Sequence, residues 1–177
     1  MGDSGTHDDA VLEFDILSTS ALKLQFQYVF ASEEYPEFIG EYNDPMAIFV
    51  STNRVGTNWI ITTNDNIALV PGTPNTPVSV NTINGGYLSY DGMSDISPSN
   101  SLYYVDNCDP RYSAMPPYAV AAPVYNIQYD GMTVLLTAQT FISANVTNHV
   151  KIAIADYNDD AYDSAVFIRA WSPCECQ

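Results

Sequence analysis

Two dense groups of carboxylates follow the strongest apolar patterns in the chain. The first is Ser32-Glu33-Glu34-Tyr35-Pro36-Glu37, continued by Glu41, Asn43 and Asp44. The second is Asp156, Asn158, Asp159, Asp160 and Asp163. Packed carboxylates repel one another unless a cation or hydrogen-bond donors offset the charge. Cationic side chains are scarce, because the 177 residues hold 21 Asp and Glu against five Lys and Arg, a net charge of -16. Calcium takes about six to eight oxygens from carboxylates, amides and carbonyls, and loops at strand ends can bring these together. The expected ligands are therefore Glu33, Glu34, Asp44, Asp156, Asp159 and Asp163, converging at one end of the fold, with their two preceding strands as neighbours. Asp156, Asn158 and Asp160 match the opening of an EF-hand loop. Ala161 then stands where glycine is required and Phe167 where the bidentate glutamate belongs, so the loop is not an EF-hand. For any single one of these acids, a solvated turn is the plainer alternative.

Other chemistry is thinly supported. Nucleophilic hydrolysis needs a Ser or Cys with a His and an orienting acid. The chain has two histidines, His7 near the terminus and His149 at the start of a strand pattern, and no Gly-x-Ser-x-Gly elbow. Asp3-Ser4-Gly5 mimics an aspartic-protease triplet but lacks a preceding apolar strand and a second copy. Glu33 with Asp156 or Asp163 is the pair a glycoside hydrolase would use, the least favoured reading. The acidity excludes a nucleic-acid partner, since phosphate binding needs Lys and Arg. The three cysteines are Cys108, Cys174 and Cys176. Cys108 pairing with either of the other two leaves an odd thiol, and zinc is disfavoured because only two histidines supplement them. Asn145-Val146-Thr147 is a glycosylation sequon.

The elements that must position these groups read as strands. Leu22, Leu24, Phe26, Tyr28 and Phe30 alternate with Lys23, Gln25, Gln27 and Val29, the period of a half-buried strand. Leu12, Phe14 and Ile16 alternate with acids, as do Val150, Ile152 and Ile154 with their neighbours, and Val166 and Ile168 with theirs. Shorter strands are expected at Met46–Ser51, Trp59–Thr63, Val78–Thr82, Val124–Tyr129 and Met132–Phe141. Asp130-Gly131 is expected to turn a hairpin between the last two. Residues 84–123, rich in Pro, Gly, Ser, Asn and Tyr, read as a long irregular excursion, and residues 172–177 as a tail. No sustained helical period and no membrane-spanning apolar run is present. The fold class expected is all-β, an antiparallel, jelly-roll-like β-sandwich, with residues 1–177 as a single domain. Met1 to Gly5 has no leader character, so the chain is either cytosolic or a processed piece of a longer one.

At the acidic clusters the sequence resembles the choice-of-anchor L domain family. The resemblance rests on Phe30-Ala31-Ser32-Glu33-Glu34-Tyr35-Pro36-Glu37-Phe38 with Asn43-Asp44, on Asn66-Ile67-Ala68-Leu69-Val70-Pro71-Gly72-Thr73, and on Tyr103-Tyr104-Val105-Asp106-Asn107. It continues through Tyr129-Asp130-Gly131-Met132-Thr133 and Ile154-Ala155-Asp156 to Tyr162-Asp163-Ser164-Ala165-Val166-Phe167. It implies a secreted bacterial domain held at the cell surface by a separate anchoring signal. Two departures bear on attachment: the usual Gly-rich segment before Asp8-Asp9-Ala10 is not seen, and Cys174-Glu175-Cys176-Gln177 carries no anchor.

Together these readings predict a non-catalytic, calcium-stabilised surface domain that acts in adhesion or as a structural subunit of a surface assembly or filament. Its partners would be other copies of itself or cell-surface components, glycans among them. A carbohydrate-binding module is the alternative, with Tyr87, Tyr90, Tyr103, Tyr104, Tyr112 and Tyr118 as stacking candidates; two or three of these rings exposed in one plane would favour it. An open sheet edge and the odd thiol would favour assembly.

Overall fold

A computed structural model describes residues 5–87, 95–108, 124–157 and 160–169. The protein is an antiparallel β-sandwich, with no α-helix among the described residues. The strands are β1 (Thr6–Leu17), β2 (Leu22–Ser32), β3 (Met46–Ser51), β4 (Arg54–Val55), β5 (Asn58–Trp59), β6 (Tyr104–Asp106), β7 (Gly131–Thr133), β8 (Leu136–Ile142), β9 (Thr147–Tyr157) and β10 (Ser164–Ile168). One sheet has the order β1-β9-β3. The other runs β10-β2-β7-β6, with β8 beside β7 on the same edge of β2. The β4–β5 hairpin stands apart from both.

The alternation in β2 does what period two requires. Leu24, Phe26, Tyr28 and Phe30 are buried and Lys23 and Gln25 face water. They meet Met46 and Ile48 of β3, Val150 and Ile152 of β9, and Leu136, Ala138 and Ile142 of β8 in one continuous core. Each large side chain so buried contributes roughly 1.5–3 kcal/mol. Tyr35 caps that core: its hydroxyl donates to the Ile83 carbonyl at 2.7 Å, and its ring lies against Gly131. A Cβ at Gly131 would sit 2.7 Å from the Tyr35 ring, so the start of β7 can approach only because residue 131 has no side chain.

Several expected elements differ. Leu12 and Phe14 occupy the core-facing row of β1 yet are 53% and 36% exposed, because β1 is an edge strand that the opposite sheet only partly covers. The Trp59–Thr63 strand shortens to Asn58–Trp59 and then passes into a 3-10 turn, Thr63–Asp65. Val78–Thr82 forms no strand. Instead the 66–80 segment lines the free edge of β3, with Ile67 donating to the Ile48 carbonyl and Met46 to that of Val78.

The hairpin expected at Asp130-Gly131 is absent. Val124, Tyr125 and Ile127 are exposed rather than paired. Asn107 takes that segment over: its Oδ1 accepts from Tyr125 N–H, its Nδ2 donates to Tyr129 O, and its N–H donates to Asp130 O. Consequently β7 pairs with β6, a three-residue strand inside the 84–123 excursion that sequence periodicity could not show. The stretch expected to run unbroken from Met132 to Phe141 divides into β7 and β8, with Val134 donating to the Tyr103 carbonyl between them.

Candidate functional site

Five strand ends gather at the acidic pole. Ser32 ends β2, Gly131 begins β7 opposite it, Asp106 ends β6, Ser164 begins β10 opposite Ser32, and Tyr157 ends β9 in the other sheet. The strands before the two acidic clusters, β2 and β9, are not hydrogen-bonded neighbours as expected. They belong to opposite sheets and finish at the same pole, because β9 pairs with β1 and β3 while β10 takes the place beside β2.

Asp44 is the link between the sheets. It is fully buried. Its Oδ2 accepts from the Ser164 hydroxyl at 2.6 Å and, more weakly, from that of Ser32 at 3.5 Å. Its Oδ1 accepts from Tyr157 N–H at 3.3 Å. A carboxylate can be buried when donors converge on it in this way. Glu34 is also fully buried, with its N–H donating to Ser32 Oγ. Asp156 is 5% exposed. Glu33 is half-buried and Asp163 exposed; Glu33 N–H donates to the Asp163 carbonyl at 3.1 Å. Asp159 lies outside the described residues, as do Cys174 and Cys176. Cys108 is buried. Asn145 is exposed in the β8–β9 turn with φ 56°.

The donors at this pole are hard oxygens of the type calcium takes. Among the described residues, however, no three His, Cys, Asp or Glu side chains lie close enough together to hold a metal ion. A shell here would have to draw on hydroxyl or carbonyl oxygens beside the carboxylates. The described cations lie elsewhere: Lys151 pairs with Glu13, Arg169 donates to Gln27 Oε1, Arg54 sits over the Trp59 ring, and Lys23 stands in register with Phe141 near the other end of β2.

Sequence reasoning missed the hydroxyls of Ser32 and Ser164, whose role follows from strand register. It also missed Asp106, whose charge acts on Glu37 of the first cluster. Burial pushes the Asp106 carboxyl up, opposed by a hydrogen bond from Cys108 N–H. Glu37 is pushed up by desolvation first and by the charge of Asp106 as well. Tyr129 is raised by burial and by the nearby Asp163 and Glu33. Both Tyr129-Asp130 and Asp106-Asn107 fall within the motif blocks quoted above, which was the available signal.

A family model, the choice-of-anchor L domain, matches residues 1–173. The chain belongs to the choice-of-anchor L domain family. This places it among surface-associated bacterial domains, surface-bound or secreted. No curated protein and no solved structure matches the chain. No helix among the described residues of this choice-of-anchor L domain is long and apolar enough to cross a membrane.

The remaining candidates have structural duties. His149 bonds Asp15 through Nδ1 at 2.8 Å and stacks on Trp59 with ring centroids 4.9 Å apart. Tyr103 and Tyr104 of the excursion pack against the core, and the Tyr104 hydroxyl is buried with no hydrogen-bond partner among the described residues. Both rings are partly buried. Tyr90, Tyr112 and Tyr118 lie outside the described residues.

Proposed function

We propose that this choice-of-anchor L domain is a non-catalytic binding module of a bacterial surface. It acts in adhesion or as a structural subunit of a surface assembly, and calcium stabilises its acidic pole. The observation that carries the binding role is β1, a twelve-residue edge strand with exposed apolar side chains. Exposed apolar rows on a regular edge mark interaction surfaces. The calcium reading is supported by Asp44, Glu34 and Asp156, three carboxylates buried at one pole, whose hard oxygens are of the kind calcium takes. Glu33, Asp159 and Asp163 complete the proposed ligand set.

The test is retention of the purified domain on isolated cell envelopes, with calcium and with EGTA. Calcium-dependent retention is expected. Absence of retention in both conditions, or turnover of envelope polysaccharide, would overturn the reading.

A glycan is the second reading, on a different surface from the tyrosines first considered. A depression of about 420 Å³ beside β3 is lined by Phe49, Asn64, Asn66, Leu69, Pro74, Asn75 and Pro77. An aromatic ring flanked by amides suits sugar recognition. Binding of soluble oligosaccharides that Phe49→Ala abolishes would favour it.

A further inference from the structure

β1 differs from the other long strands. β2 and β9 have partners on both edges, and β3 is covered by β9 and by the 66–80 segment. β1 has only β9 among the described residues. A bulge breaks its register between His7 and Ala10, where Asp8 has φ 46°. From Ala10 to Leu17 the ladder is continuous, and the stretch contains neither Gly nor Pro. An edge of this length and regularity is a template for another strand.

The sandwich is also open on this side. The opposite side is closed where the segment after β3 meets Tyr103, beside β6, whose Oη donates to the Pro71 carbonyl, and Tyr35, from the loop between β2 and β3, whose Oη donates to that of Ile83. On the β1 side the other sheet ends in β10, which touches β9 and leaves Ile168 40% exposed. Leu12 and Phe14 stand in the same cross-strand rows as the core residues Ile152 and Val150, yet remain largely uncovered; Phe14 reaches Phe26 edge-on.

The other face of β1 says what kind of strand would fit. Asp9, Glu13 and Asp15 project on the side away from the core. From β9, Lys151 reaches Glu13 at 3.3 Å and His149 reaches Asp15 at 2.8 Å, while both acids remain about half exposed. A Lys or Arg on an incoming strand would flank each acid from its open side, as favourable cross-strand pairs do. A second copy fits poorly. Pairing β1 against β1 sets one acidic row beside another, between chains that each carry a net charge of -16. No segment of this chain alternates apolar with basic residues over a strand's length.

We propose that the Ala10–Leu17 edge of β1 accepts, by strand addition, an extended segment of a different polypeptide in which apolar residues alternate with Lys or Arg. This rests on the surface-binding role proposed above and names the chemistry of the partner.

The probe is a synthetic peptide of about ten residues alternating Val or Ile with Lys or Arg. Its counterpart carries Glu at the basic positions. Binding of the basic peptide should slow amide exchange across Ala10–Leu17. Glu13→Lys with Asp15→Lys should weaken it by about tenfold. Leu12→Lys, an inward-edge charge at an already exposed position, should abolish it while circular dichroism stays unchanged. Equal binding of the acidic counterpart, or no protection of β1, overturns the proposal. A concentration-dependent dimer that Leu12→Lys dissolves overturns it in favour of a second copy. Envelope retention that survives Leu12→Lys leaves the surface role standing and removes β1 from it.

Discussion

The Ser164 hydroxyl donates to the Asp44 carboxylate at 2.6 Å across 120 positions of sequence. This contact joins the first strand pair of one sheet to the loop that enters the other. Ser32 lies opposite Ser164 in the β2–β10 register and points at the same oxygen. Losing one such buried donor costs about 1–2 kcal/mol. Ser164→Ala should lower stability by that amount in urea unfolding. Asp44→Ala should cost more, about 3 kcal/mol, because Ser164, Ser32 and Tyr157 N–H all lose their acceptor.

Calcium should raise the melting temperature. An ion that binds only the folded state stabilises it by mass action. Addition of calcium to EGTA-treated protein is expected to shift Tm upward by roughly ten degrees. Asp156→Ala and Glu33→Ala should remove the shift. An unchanged Tm would assign the acidic pole to solvated turns and internal hydrogen bonds.

Stability should fall as pH rises above the ordinary carboxylate range. The Asp106 and Glu37 carboxyls are raised in the folded state, by burial above all. Between the unfolded pKa and the raised folded one, the native state therefore binds more protons than the unfolded state, and stability declines with pH across that window. Both residues keep contact with solvent, which screens the effect, and Glu37 is the more exposed. Asp106→Asn should flatten the decline, measured as urea midpoints through the weakly acidic range. Stability rising across the same window would contradict the assignment.

Tyr35 and Gly131 form a packing pair that tolerates little change. Gly131→Ala places a methyl within 2.7 Å of the Tyr35 ring and should cost about 1–3 kcal/mol. Tyr35→Phe keeps the ring, loses the hydrogen bond to Ile83, and should cost about 1 kcal/mol. Urea midpoints of the two variants, compared with the double variant, check both values and their coupling.

Period-two alternation was enough to place β2, β3 and β9, because one face of each meets the core and the pattern reports burial directly. It failed at Val124–Tyr129, where an apolar, alternating stretch is held as irregular backbone by one asparagine, Asn107. It also failed to show β6, whose three residues carry too little pattern. The two acidic clusters stood out by density alone, but their meeting at Asp44 depends on β2 and β9 ending together in opposite sheets.

The amino-acid sequence by itself determined the all-β class, the acidic surface and the family, because these depend on composition, local alternation and ordered motifs. Tertiary structure alone decided which acids are buried and which strand is left at an open edge. Glu33 and Glu34 are adjacent in sequence, yet Glu34 is sealed in the core pole and Glu33 is half in water. Leu12 and Leu24 sit in similar patterns, yet only Leu24 is covered. The physical reason is the same in both cases: burial depends on what the opposite sheet supplies, and that is set by strand order, which no local stretch of sequence encodes.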